Sequence, residues 1–497
     1  MNRDKNKIIG SLIGGAIGDA LGYPIEFKRE IKEKEYTKYL NDKGIISDDT
    51  QMTLFTANGL LWRETRGAMR GIAPLPVDAI YYAYLDWLET QNSDQKNMSK
   101  VSWIKDLPEL NVNRAPGNTC LSALMSKVKG TIEQPINNSK GCGGVMRVAP
   151  IGLYIGDSEN AGKFGAEVSA ITHGHPLGII PSYFLSTMIY FIVNQNLNIM
   201  DSLNKAYKQF VEKYNFFDKK EVKYFIDLIN KAIKLSKSNY SDIDAINELG
   251  EGWVAEEAFA IAIYSCLKYE NSFEDAIICA VNHDGDSDST GAIAGNIMGA
   301  LLGLDAIPNY YIDNLELKDV IMEMGNDLSS DIPVGEYNDN NDEYWLSKYS
   351  SCKRNLELRK KKDEMNSGKQ EDTIELVSET LKGYVSFDND GYAFANQKLP
   401  VELELEYDNF INSYYNDENN KLVNYIVNEI VNLPYDVETT IAQLINYKPE
   451  EAFVSPMTQG IISNAVQKKC ESSGIKLIEN RDEFGGLAYN YKFKKIK

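Results

Sequence analysis

Apolar residues recur every three or four positions through residues 9–21, 50–62, 77–88, 181–193, 255–269 and 289–304. That spacing gives a helix one apolar face. Residues 1–346 hold no clear run of alternating apolar and polar positions, so this part reads as all-α. Two of the predicted helices are rich in Gly and Ala: Gly10, Gly14 and Gly18 fall on one stripe of the first, Gly295 and Gly299 on one stripe of the last. Gly weakens a helix by about 1 kcal/mol relative to Ala. Such stripes therefore predict close backbone approach, with both helices deep in a bundle.

The pattern changes at residue 347. Residues 347–373 are rich in Lys, Arg, Glu, Ser and Asn, including Arg359-Lys360-Lys361-Lys362, and read as a solvated helix or linker. Beyond them, residues 384–394 predict a hairpin turning near Asn389-Asp390-Gly391, and residues 487–493 a terminal strand. Helices are expected over 375–381, 419–433 and 458–471. The organisation expected is a helical domain (1–346), a charged linker (347–373) and a small α+β accessory domain (374–497). Residues 458–471, 475–479 and 487–493 could build a helix with a wing-like hairpin. No dense basic helix accompanies them, which argues against DNA binding.

Composition narrows the functional classes. The 497 residues are 43% hydrophobic and 25% charged, enough for a sizeable core, with a formal net charge of -20. Such a surface repels nucleic-acid phosphates and anionic membranes, so neither is an expected partner. The six cysteines are scattered without a CxxC pair, which suits reduced thiols in the cytoplasm. Basic residues before the apolar run 8–17 resemble a signal peptide, but Gly10, Gly14, Gly15 and Asp19 interrupt that pattern. No apolar stretch is expected to be long enough to span a bilayer.

Two acidic clusters stand out: Ser47-Asp48-Asp49-Thr50 and Asp284-Gly285-Asp286-Ser287-Asp288-Ser289-Thr290, each at the head of a predicted helix. Both offer carboxylates and hydroxyls without soft donors, a set that suits Mg²⁺, Mn²⁺ or Ca²⁺ rather than zinc. Either cluster alone is also explained by helix capping and dipole complementation. A third feature joins them, the Gly-rich segment Gly141-Cys142-Gly143-Gly144-Val145-Met146-Arg147, whose backbone N–H groups could cradle a diphosphate. Arg147 is either a nearby cation or a structural partner. Gly117-Asn118-Thr119 is a second short loop, by itself an ordinary turn.

The run Gly14-Gly15-Ala16-Ile17-Gly18-Asp19-Ala20-Leu21-Gly22 followed by Glu26 resembles the opening of ADP-ribosylglycohydrolases. So do, in order and spacing, Ser47–Thr50, Gly117–Thr119, Gly141–Pro150, Thr172-His173-Gly174-His175-Pro176, Gly252-Trp253-Val254-Ala255-Glu256-Glu257 and His283–Thr290. The resemblance covers residues 7–335. It implies an all-α fold with two Mg²⁺ (or Mn²⁺) ions at the base of a cleft. Ser47, Asp48 and Asp49 would be ligands of one ion; Asp286, Asp288 and Ser289 would be ligands of the other. Relatives more often carry Thr where this chain has Ser47 and Ser289, and the hydroxyl oxygen is kept. Glu26 matches an acidic residue beside the metals, and His173 lies in a segment that borders the ligand. His283 reads as packing or support, and Trp253 as core or cleft wall.

The implied reaction is hydrolysis of the bond between the anomeric carbon of ADP-ribose and a protein side chain, arginine favoured. Glu26, Asp48 and Asp49 are the candidates for the carboxylate that stabilises or deprotonates. Three other readings compete. One is a two-metal phosphohydrolase acting on a free nucleotide. Another is an immunity or interaction protein that blocks an ADP-ribosylating toxin by binding it. The third is a catalytically dead scaffold, against which the intact acidic set speaks.

Overall fold

The structure is a computed structural model that describes residues 4–92, 100–213, 217–336 and 341–350. From the rest of the chain it describes residues 385–387, 393–395, 410, 438–440, 466, 470, 476–480 and 492–496. The chain divides into two compact units, Met1–Leu356 and Glu357–Lys497.

The described part of the first unit is built of helices joined by short 3₁₀ turns, with no strand of its own. In chain order they are α1 (Lys5–Gly22), α2 (Asp48–Arg70), α3 (Pro76–Gln91), α4 (Asn118–Met125), α5 (Ala149–Tyr154), α6 (Ser158–Ala170), α7 (Pro176–Gln195) and α8 (Ile199–Lys213). There follow α9 (Lys219–Ser236), α10 (Asp242–Asn247), α11 (Ala255–Lys268), α12 (Phe273–Val281), α13 (Ser287–Leu302), α14 (Asn309–Asp313), α15 (Lys318–Ser329) and α16 (Glu343–Tyr349). The expected all-α fold is what forms.

Helices α1, α7 and α13 are apolar on every side and correspondingly buried, whereas α8 and α9 show one apolar stripe and lie at the periphery. The windows Lys5–Ile25 and Pro176–Gln195 are in fact long and apolar enough to cross a bilayer, contrary to the sequence expectation. Each is 89% buried within the bundle, so its apolarity is already used in the core. Helix α7 begins with Pro176 in its first turn, where the missing N–H is harmless. It then runs on through Pro181, at which the predicted helix had been started.

The Gly stripes explain the central packing. Helices α1 and α13 run antiparallel with Gly10 opposite Gly299, Gly14 opposite Gly295, Gly18 opposite Gly291 and Gly22 opposite Ser287. A Cβ on Gly10 would stand 2.6 Å from the Gly299 carbonyl oxygen, and the next three crossings are closer still. No other residue fits there without parting the helices. Ser11 Oγ adds a hydrogen bond to the Asn296 carbonyl oxygen at 2.9 Å.

The polar stretch from residue 347 begins inside α16, where Lys348 and Tyr349 are buried and Trp345 packs on Tyr349. Lys348 Nζ there meets Glu323 and Asp327. The remainder of that stretch lies outside the described residues, as do most positions of the three helices expected after residue 374. Cys120, Cys142, Cys266 and Cys279 are free thiols. In the second unit, β1 (Val385–Phe387) pairs antiparallel with β2 (Ala393–Ala395), the predicted hairpin. A three-stranded sheet has the order β3-β5-β4, from β3 (Glu438–Thr440), β4 (Lys476–Asn480) and β5 (Lys492–Ile496).

Candidate active site

The α1–α13 pair sets the position of the site. Because the helices are antiparallel and in backbone contact, the chain leaving α1 at Gly22 meets the first turn of α13 at Ser287. Glu26, just past that point, therefore lies beside Asp286 and Asp288. One carboxylate oxygen from each of these three comes within 4.8 Å of the others, close enough to share one cation.

Asp19 brings in the other cluster. It is fully buried in α1, and its two oxygens each accept from Ser47 N–H at 3.0 Å. One of them also accepts from Thr50 N–H at 3.1 Å and from the Thr50 hydroxyl. Ser47 is in turn the N-cap of α2, its Oγ accepting from Asp49 N–H at 3.2 Å. Asp286 is the N-cap of α13, accepting from Ser289 N–H at 3.3 Å. Capping and convergence thus coexist: the caps fix the two turns, and the turns aim further carboxylates at one another. Asp49 faces the Ser289 hydroxyl and the Asp286 and Asp288 carboxylates.

Packing so many carboxyls into a buried site raises their affinity for protons. Glu26 is pushed up to about 8 by burial, then by Asp286, Asp48 and Asp19. Asp48 is likewise pushed to about 8, by burial and by Asp19 and Asp286, opposed by a hydrogen bond from the Gly117 N–H. Asp49 and Asp288 are raised well above the usual carboxylate range, first by burial and then by each other's neighbours in the cluster. Among the described residues, Glu26 Oε2 and Asp49 Oδ2 are buried without a hydrogen-bond partner. Buried, mutually repelling oxygens with open lone pairs are the donor set a hard divalent cation satisfies.

The expected loops surround this cluster, with differences. Gly117 N–H donates to Asp48 Oδ2 at 3.3 Å, so the Gly117-Asn118-Thr119 turn orients a cluster carboxylate. In the Gly-rich loop, Gly141 N–H donates to Ser139 Oγ (3.3 Å) and Cys142 N–H to the Trp253 carbonyl (3.2 Å). Val145 and Met146 N–H turn back to the Cys142 carbonyl, and both side chains are buried. Over 141–147, the Gly143, Gly144 and Arg147 N–H groups have no described protein acceptor, and the first two are adjacent in the Gly-rich turn. The Cys142 thiol donates to Asp286 Oδ2 at 2.7 Å, a link between loop and cluster that the spacing did not announce.

Of the two readings of Arg147, nearby cation or structural partner, its surroundings favour the second: it is wholly buried. Its guanidinium lies 4.4 Å over the Tyr84 ring and donates to Thr172 Oγ1 (2.6 Å) and the Val168 carbonyl (3.3 Å). His173 is also buried, with Nδ1 2.8 Å from Thr172 Oγ1 and Nε2 toward Gly141 and Gly143. Burial and Arg147 lower its pKa to about 3, so the ring is neutral. His175 caps α7 by accepting from Leu177 N–H, and His283 Nε2 pairs with Thr290 Oγ1 at 2.9 Å. Glu256 is buried against Lys140 Nζ. Sequence reasoning missed the part played by Asp19, although a lone acid within an apolar, Gly-rich helix was a signal.

The model of the ADP-ribosylglycohydrolase family matches residues 1–337. The chain is 25% identical over 278 residues to the ADP-ribosyl-[dinitrogen reductase] glycohydrolase of Rhodospirillum rubrum, covering 55% of this chain and 75% of that protein. It is 22% identical over 297 residues to ADP-ribosylhydrolase ARH1 of Dictyostelium discoideum, covering 48% and 76%. Human ADP-ribosylhydrolase ARH3 is 26% identical over 198 residues, covering 36% of this chain and 54% of its own length. With the family's match covering residues 1–337, which hold α1 to α15 and the acid cluster, the chain belongs to the ADP-ribosylglycohydrolase family and is a hydrolase that removes ADP-ribose.

Proposed function

We propose that this hydrolase depends on Mg²⁺, with Mn²⁺ as the alternative ion, and frees ADP-ribose from modified arginine side chains in the cytoplasm. The observation that carries the reading is the convergence of the two acidic helix caps on Glu26, with Glu26 Oε2 and Asp49 Oδ2 buried and unpartnered. Ser47, Asp48 and Asp49 would hold one ion, and Asp286, Asp288 and Ser289 a second. Bound there, the ions supply Lewis-acid polarisation and a fixed seat for ribose hydroxyls.

The chain's own residues do the remaining work. Gly143 and Gly144 N–H groups face the diphosphate, which suits an acidic protein with few cations near the site. The Gly117-Asn118-Thr119 turn lies against the Gly-rich loop, with Thr119 Oγ1 3.1 Å from Ser139 Oγ, and keeps Asp48 oriented through the Gly117 N–H. Glu26 takes a proton from the attacking water at Oε2; Asp48 and Asp49 are the alternatives for that role. Water oxygen bonds to the anomeric carbon, the carbon–nitrogen bond breaks, and the departing guanidine takes up a proton. Glu26 is favoured because its free oxygen stands at the end of α1 beside the second cluster. The leading test is ADP-ribose release from arginine-modified and serine-modified protein side by side. Faster release from arginine is expected; release from serine alone would overturn the linkage.

A further inference from the structure

Two loops at the rim of the acid cluster carry groups that neither the cluster nor the diphosphate loop uses. Phe27, the residue after Glu26, is 70% exposed, yet its ring stacks on Trp253 at 5.7 Å between centroids and 23° between planes. Trp253 Nε1 donates to Glu251 Oε2 at 2.9 Å, and the same oxygen lies 3.5 Å from the guanidinium of Arg29. Both loops are held rigid by the segment that bears the site. Asp284 accepts from Glu30 and Ile31 N–H, each at 2.8 Å. The Glu251 carbonyl accepts from Asp286 N–H at 2.9 Å. Gly250 and Gly252 adopt φ of +129° and +85°, which bends the second loop, and Glu257 Oε2 accepts from Glu251 and Gly252 N–H. Phe27 is the most exposed large apolar side chain among the described residues, and its ring meets Trp253 beside the Glu251 carboxylate.

We infer that the Phe27–Trp253 stack and the Glu251 carboxylate form the subsite for the target's guanidinium, the group that leaves when ADP-ribose is freed. A planar cation is held by a ring face and a carboxylate together, the two kinds of group that meet here. The chain supplies its own illustration: Arg29 already sets a guanidinium against Glu251 at this rim. The Arg29–Glu251 pair is more than half exposed on both sides, so it is weak enough for an incoming arginine to replace Arg29. The carboxylates of Glu251 and the nearby Asp284 favour a cationic leaving side over a neutral serine.

This subsite rests on the arginine reading of the reaction but is tested separately from it. Arginine amide, a guanidinium probe without ADP-ribose, is titrated into the full-length protein while tryptophan fluorescence is followed, with a urea-bearing citrulline amide as control. Arginine amide should quench and citrulline amide should not. Glu251→Gln and Phe27→Ala should each weaken the response about five-fold. On an arginine-modified substrate Glu251→Gln should raise KM by a similar factor and leave kcat unchanged, while free ADP-ribose binds as tightly as before. Unaltered arginine amide binding in both variants would overturn the subsite even if arginine-linked substrate is turned over. Weaker ADP-ribose binding in Phe27→Ala with arginine amide binding intact would also overturn it, giving the stack to the adenine ring. Guanidinium binding lost in Glu251→Gln but no arginine-linked release by the wild type would uphold the subsite and sink the arginine reading.

Discussion

The acid cluster trades stability for binding. Each buried carboxylate repels the others, so removing one should stabilise the metal-free chain while destroying its purpose. Asp49→Asn is expected to raise the metal-free melting temperature by roughly 2–4 °C. It should also abolish the further rise on adding Mg²⁺, and thermal melts with and without the ion measure both. A lower metal-free melting temperature would mean that Asp49 is held by protein partners instead. Arg147 behaves in the opposite way. Its stack on Tyr84 and its bonds to Thr172 and Val168 are internal, so Arg147→Met should cost about 2–4 kcal/mol in urea unfolding. Residue by residue, the acidic ligand candidates were legible because Ser and Asp crowd two helix heads. The inward turn of Arg147 was not, since the same letter serves a ligand cation and a buried strut.

Among elements, the α1–α13 crossing is the part of the fold most directly written in the sequence. The Gly stripes foretold close approach, and the structure adds the register that delivers Glu26 to Asp286. A Gly→Ala change inside an ordinary helix stabilises by up to about 1 kcal/mol. At Gly295 the added methyl would strike the Gly14 backbone, so Gly295→Ala should instead destabilise by about 2 kcal/mol or more. It should also weaken Mg²⁺ binding measured by calorimetry, because parting the helices separates Glu26 from its partners. Unchanged Mg²⁺ affinity would show that the crossing does not set the site. Helix ends were read less well. Helix α2 runs on to Arg70 through polar residues that carry no periodic signal, and α7 starts before Pro181 because Pro176 takes the first turn. The apolar length of α1 and α7 was underread, because the glycines and serines within them mask it; 89% of each apolar window is buried in the bundle.

At the scale of the whole molecule, several buried acids meet around one centre, and pH should govern how that centre binds. Glu26 and Asp48 hold their protons up to about 8 when folded, but release them near their ordinary values of 4.5 and 3.8 when unfolded. Between those limits the folded chain binds more protons, so metal-free stability falls as pH rises. A divalent cation binds the ionised cluster, and the Mg²⁺-induced gain in melting temperature should therefore be small near pH 5 and largest near pH 8. A gain independent of pH would place the ion elsewhere. The central claim, that the convergent cluster is a metal centre for freeing ADP-ribose, is met most directly by one assay. Release of ADP-ribose from an arginine-modified protein is followed with Mg²⁺ and with EDTA, for wild type and Asp288→Ala. Release that needs Mg²⁺ and disappears in Asp288→Ala is the predicted result; release that persists in EDTA or in the variant would contradict it.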